Sequence, residues 1–172
     1  MSDGRRRAVL ALGSNIGDRL AHLQGAVDAL TDAGRVVAVS PVYETDPVGG
    51  PEQADFLNAV VVVDSDLSAH GLLDLAHATE ARFARVRDRR WGPRTLDVDL
   101  VAIGDEVIED AEIVLPHPRA AERAFVLVPW LGVDADAAFP DGRRVADLLA
   151  GLDVGGVRLR ADLVLELPAV AP

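Results

Sequence analysis

The stretch FLNAVVVVD, residues 56–64, decides the fold. From Ala59 to Val63 it offers no polar side chain for water, so a strand here has to be covered on both faces. Elements of both kinds stand on either side of it. Upstream, RVVAVSPVYE (35–44) reads as another strand, joined to it by the Pro/Gly loop TDPVGGPEQAD (45–55). Downstream, LSAHGLLDLAHATEARFARV (67–86) places Leu72, Leu75, Thr79 and Phe83 along one side of a helix. Further toward the N-terminus, RAVLALGSN (7–15) reads as a strand ending in a glycine turn. DRLAHLQGAVDALTDAG (18–34) follows as a helix, with Leu20, Leu23, Val27 and Leu30 at helical spacing, Asp18 as N-cap and Gly34 as stop.

On the other side, TLDVDLVAIGDEVIED (95–110) predicts a strand and a hairpin through Gly104 and Asp105. LPHPRAAERAFVLVPWLGV (115–133) holds a proline-bounded loop and an apolar helix starting near Arg123, and DGRRVADLLAGL (141–152) a shorter helix. The tail, 157–172, alternates polar and apolar residues and suits an edge strand. The order β-α-β-β-α-β is that of a ferredoxin-like fold. The expectation is α+β: a single-domain α/β sandwich over 1–172 with extra C-terminal helices. Its core covers about 7–150 and its tail about 153–172. No internal repeat or low-complexity linker divides the chain.

Composition narrows the chemistry. At 172 residues, with 49% hydrophobic and 26% charged residues, the chain suits one globular domain. No apolar run approaches the ~20 residues of a membrane helix, and the short AVLALG after MSDGRRR makes a poor signal peptide, so the expectation is cytoplasmic. Cysteine is absent, which excludes disulfides, thiolate metal sites and thiol nucleophiles. All 17 basic residues are arginine, which excludes mechanisms built on a phosphate-binding or Schiff-base lysine. A net charge of -11 argues against non-specific nucleic-acid binding but leaves room for a local basic pocket.

That pocket has an obvious candidate in RVRDRRWGPRTLDVDL, residues 85–100. From Arg82 to Arg94, six arginines face one acid, Asp88, a local net of +5. If TLDVDL is a strand, Asp97 and Asp99 share one face, ~6.6 Å apart along it. Alone, such a pair reads as a solvated strand face. Beside planar guanidinium forks that match phosphate oxygens, it reads as a phosphate site with hard divalent ions. A second basic group, His117 with Arg119 and Arg123, lies in LPHPRAAERAF. None of the four histidines pairs with zinc-like spacing.

In order along the chain, ALGSNIGDR, SPVYETDPVG, FLNAVV, RWGPRTLDVDL and LPHPRAAERAFVLVPW resemble the 6-hydroxymethyl-7,8-dihydropterin pyrophosphokinase family over roughly residues 8–140. The resemblance implies a ferredoxin-like α/β sandwich. It also implies an ATP-dependent diphosphokinase of folate biosynthesis, moving the β,γ-diphosphoryl group of ATP to the pterin hydroxymethyl group with release of AMP. It assigns two Mg²⁺ ions to Asp97 and Asp99, one bridging the α- and β-phosphates, the other the β- and γ-phosphates and the pterin hydroxyl. The pterin would stack between Phe56 and Phe125, with Asn58 reading its edge, Thr45, Pro47 and Val48 lining the pocket, and Trp91 closing from the arginine loop. ATP would meet Glu80, Arg87, Arg94, His117 and Arg123, with Arg85 and Arg94 stabilising charge on the transferring group. Two departures from the family pattern stand out. The loop from Arg87 to Trp91 is a residue short, which leaves Arg89 and Arg90 without assigned partners, and Pro118 stands where a tyrosine can occur.

A nucleotidyltransferase also combines a Gly-Ser turn with an Asp-x-Asp strand, but there the turn closely precedes the aspartates. Here Ser14 and Asp97 are 83 positions apart. A non-catalytic ligand-binding module would leave the carboxylates and the arginine loop without a task. The partners expected are therefore ATP and the pterin, with no nucleic acid and no membrane, and a monomer is the simplest assembly.

Overall fold

The computed structural model describes residues 4–47, 52–83 and 95–169. Its elements in order are β1 (Arg6–Ser14), α1 (Arg19–Ala29), β2 (Gly34–Val39), β3 (Tyr43–Thr45), β4 (Phe56–Ser65) and α2 (Ala69–Phe83). After them come β5 (Asp97–Ile103), β6 (Ile108–Glu109), β7 (Val114–Leu115), α3 (Ala124–Val133), α4 (Val145–Ala150) and β8 (Val157–Leu159). A six-stranded antiparallel sheet runs β5-β1-β4-β3-β8, with β2 sharing the β4 edge with β3. Counting β2 and β3 as one interrupted strand, this is the ferredoxin-like order.

β4 is buried on both faces, as its apolar run requires. Leu57, Val61 and Val63 join Leu10 and Leu12 beneath α1 and α2, where Leu23, Val27, Leu72 and Ala76 meet them. Val60 and Val62 join Val9 and Ala11 on the other face, beneath Val126, Leu127 and Trp130 of α3. At the start of α1 the Asp18 carboxylate accepts from the Ala21 amide at 3.1 Å, the predicted N-cap. Gly34 follows a 3₁₀ turn at φ 148°, and a Cβ there would stand 2.1 Å from the Asp64 carbonyl oxygen, so only glycine lets β2 begin here.

Two sequence expectations change. The strand expected over 35–44 is broken at Ser40–Val42. Pro41 has no amide for the ladder, and the Ser40 hydroxyl takes over by accepting from the Val60 amide at 2.8 Å. The hairpin expected through Gly104 and Asp105 does not pair with β5. The chain turns there, but β6 pairs with β7 instead, and the β5 carbonyl of Val101 accepts from the His117 amide at 2.8 Å.

One irregularity fixes the orientation of the aspartates. Between β1 and β5 the pairing passes from Val9–Ala102 to Leu10–Leu100, leaving Val101 as an extra residue. Ile103 faces α1 and α2, so a regular strand would send Asp97 and Asp99 to that face too. The bulge reverses the alternation: Val98 and Leu100 pack beneath α1 and α2, and the aspartates point to the α3 side. Among the described residues no helix is long and apolar enough to cross a membrane.

Candidate active site

The site residues collect where β5 and β4 begin and β1 and β3 end, on the α3 side of the sheet. Gly13 pairs with Asp97 on one side and Asn58 on the other, and Asn58 pairs in turn with Tyr43. Asp99 stands one pleat further along β5, opposite Ala11. Because Gly13 has no side chain, the row from Asp97 to Asn58 has a dip at its centre. A Cβ on Gly13 would lie 3.0 Å from Asn58 Nδ2 and 3.6 Å from Phe56 Cδ1.

Asn58 and Thr45 are buried polar residues that satisfy each other. The Thr45 hydroxyl donates to Asn58 Oδ1 at 2.6 Å, and Asn58 Nδ2 donates to the Leu12 carbonyl at 3.3 Å. Those bonds fix the amide's orientation and leave it one N–H and one lone pair for a ligand. Phe56 and Phe125 are each half-buried rather than enclosed in the core. Pro47, also half-buried, follows Thr45 and Asp46 at the end of β3.

The α3 side of Asp99 is cationic. Arg123, at the N-cap of α3, brings Nη1 to 4.0 Å from Asp99 Oδ2 and sets its guanidinium 5.6 Å from the centre of the Phe125 ring. His117 is held by its amide on β5, and its Nδ1 accepts from the Arg119 amide at 3.2 Å, so the neutral ring carries its proton on Nε2. Burial pushes the imidazole pKa below the ordinary 6.5, and Arg123 and Arg119 press the same way against the opposing pull of Asp99. Glu80 is a half-buried residue of α2, which packs on the opposite face of the sheet from α3. Val48, Arg85, Arg87, Trp91 and Arg94 lie outside the described residues, as do Arg89 and Arg90.

The glycine turn expected at the end of RAVLALGSN is not where Gly13 lies: β1 runs on to Ser14, and Gly13 is paired on both sides as a strand residue. No local signal could have shown this, because it depends on the pairing of β1 with both β4 and β5; once that pairing is known, a glycine in a central strand marks a close approach.

The depressed His117 pKa has a measurable consequence. At pH values well above 6.5 the ring is neutral in both folded and unfolded chains and contributes nothing. As pH falls through 6.5 the unfolded chain takes the proton first, so the folded state loses stability until its own lower pKa is passed. Metal-free wild-type protein should therefore lose more thermal stability between pH 7.5 and 5.5 than His117→Gln does. Equal slopes for the two would mean His117 is not the group responsible.

A paired carboxylate edge, adjoining cations and a neutral polar pocket on an α+β sandwich are the parts of a small-molecule phosphotransferase. Residues 9–135 match the family 7,8-dihydro-6-hydroxymethylpterin-pyrophosphokinase (HPPK). The 2-amino-4-hydroxy-6-hydroxymethyldihydropteridine pyrophosphokinase of Methylorubrum extorquens is 48% identical over 153 residues, covering 88% of this chain and 96% of that protein. Its namesake from Mycobacterium leprae is 49% identical over 183 residues, covering 96% and 94%. A solved Plasmodium falciparum HPPK-DHPS chain shares the fold with a TM-score of 0.68 at 14% identity. The match covers 87% of this chain and 44% of that longer one. The chain belongs to the HPPK family, and it is a pyrophosphokinase, a transferase of folate biosynthesis that uses ATP as co-substrate.

Proposed function

We propose that Asp97 and Asp99 hold two Mg²⁺ ions against the triphosphate of ATP while the pocket around Asn58 holds 6-hydroxymethyl-7,8-dihydropterin. The transfer joins the hydroxymethyl oxygen to the β-phosphorus and breaks the bond from that phosphorus to the oxygen bridging it to the α-phosphate. AMP leaves, and the hydroxyl proton is released. What supports this reading most is the row Asp97–Gly13–Asn58: carboxylates and a fixed neutral amide lie on either side of a residue with no side chain.

The donor set suits the metal. Two carboxylates are hard oxygen ligands, and among the described residues no three His, Asp or Glu side chains form a closed cage. Mg²⁺ favours one or two carboxylates, with water and phosphate oxygens completing its shell. When bound, it neutralises phosphate charge as the alcohol approaches a polyanion.

The chain's own groups do the rest. Asn58, locked by Thr45 and Leu12, offers one donor and one acceptor to the edge of a flat heterocycle, while Phe56 and Phe125 offer ring faces. His117 donates from Nε2 to a phosphate oxygen, and Arg123 adds a fixed positive charge beside Asp99. Arg87, and Glu80 reaching round the β5 edge of the sheet from α2, complete the ATP contacts, and Pro47, Val48 and Trp91 the pterin pocket. Arg85 and Arg94 carry charge on the transferring group. The proposed unit is a monomer acting in the cytoplasm.

Incubating the protein with ATP, Mg²⁺ and 6-hydroxymethyl-7,8-dihydropterin tests the reading. AMP formed only when pterin is present is the expected product. ADP would mean transfer of a single phosphoryl group, and pyrophosphate with a nucleotidyl adduct would mean a nucleotidyltransferase.

A further inference from the structure

Beneath the proposed pterin pocket, on the α1 face of the sheet, lies a network of ion pairs centred on Arg158. This residue stands on β8, beyond the family-matched residues 9–135, with Glu44 of β3 opposite it. Its Nη1 donates to Asp46 Oδ1 at 2.9 Å and its Nη2 to Asp55 Oδ2 at 2.9 Å. Asp46 directly follows Thr45, and Asp55 directly precedes Phe56. One guanidinium thus ties together the end of β3 and the start of β4, the two segments that carry Thr45, Phe56 and Asn58. Arg19 of α1 grips the same place, donating to the Asp55 carbonyl at 3.0 Å and to Glu44 Oε2 at 2.7 Å. The Asp46 amide also donates to the Gly156 carbonyl at 3.1 Å, so β8 meets this segment through backbone as well as side chain.

β3 has only three residues, and without β8 it would be a free edge held on one side by β4. Its Thr45 hydroxyl sets the amide of Asn58, so a shift of β3 along β4 turns the group that meets the pterin. We propose that Arg158 is a positioning residue for the pterin subsite, holding the Thr45 and Phe56–Asn58 segments in register from outside the family core. The proposal rests on the reading of that pocket as the pterin site. Arg158, Asp46 and Asp55 are all substantially exposed, with side-chain exposures of 43%, 60% and 41%. Such pairs add little to global stability. Their effect is therefore expected in the geometry of one subsite rather than in folding.

The full-length chain carrying Arg158→Ala or Arg158→Lys, assayed with pterin and with ATP as the varied substrate, tests this. Arg158→Ala should raise the pterin KM roughly five- to ten-fold, with kcat and the ATP KM within about two-fold and Tm within about 2 °C. Lysine cannot span both carboxylates and should recover only part of the loss. Removing Asp46 and Asp55 together, each as Ala, should give the same rise, and adding Arg158→Ala to that pair should add nothing further. An unchanged pterin KM, equal rises for both substrates, or a fall in Tm alone would overturn the clamp. Asn58→Leu separates the two levels. If it raises the pterin KM and Arg158→Ala does not, the clamp alone fails. If neither does, the pterin-site reading fails, and the clamp with it.

Discussion

Asp97→Asn and Asp99→Asn should each lower kcat by roughly a thousand-fold, about 4 kcal/mol of lost transition-state stabilisation. The substitution keeps volume and shape but removes the negative charge proposed to hold a divalent ion against phosphate. Neither change should unfold the protein. Packing of β5 depends on its intervening residues, with Val98 2% and Leu100 4% exposed, whereas the Asp99 side chain is 45% exposed. The Arg123–Asp99 pair, at 4.0 Å and half in water, adds little stability of its own. Pterin-dependent AMP formation at saturating Mg²⁺, together with thermal melts, checks both halves of the claim. If both carboxylates serve one polyphosphate as proposed, the double variant should be little worse than either single one. Activity within ten-fold of wild type in both single variants would remove the aspartates from the metal site.

Asp97 and Asp99 also show how much of the site was legible in the sequence. That Asp97 and Asp99 share a face follows from the pleat alone. Which face they share does not, because the bulge at Val101 depends on how β5 pairs with β1, some ninety residues away in the chain. The same holds for the row through Gly13. Local periodicity reveals β1, β4 and β5 as strands, and the apolar run in β4 requires cover on both faces. Their register is a tertiary property. Asp18 was legible as a cap because capping is settled within three residues. The clamp of Arg158 on Asp46 and Asp55 was not, since it joins positions more than a hundred residues apart and each of the three, alone, looks like an ordinary exposed charge. Pro41 was visible in the sequence as a residue unable to donate to a ladder. The resulting break between β2 and β3 mattered more than the strand-like residues around it.

Gly13→Val should fill the dip at the centre of the row from Asp97 to Asn58 and lower pterin turnover far more than it lowers stability. Gly13 is a mid-row residue of a central strand, and its φ is not positive, so its backbone asks nothing that valine cannot supply. A β-branched side chain favours the strand conformation, and replacing glycine restricts the unfolded chain. Those two gains are opposed by a tight contact with Asn58, so Tm should fall by a few degrees while the protein stays folded. The added atoms, however, extend over the dip between Asp97 and Asn58. The first of them already meets Asn58 Nδ2 at 3.0 Å, and that amide cannot yield without breaking its bonds to Thr45 and Leu12. The γ-methyl groups extend further, into the space where a flat ring would lie beside Phe56. We expect kcat/KM for the pterin to fall by at least about a hundred-fold, close to 3 kcal/mol, with ATP affinity changed far less. Steady-state kinetics in each substrate and a thermal melt on the same preparation decide it. A stable variant with normal pterin kinetics would mean that the pterin lies elsewhere, and the role given to Asn58 would go with it.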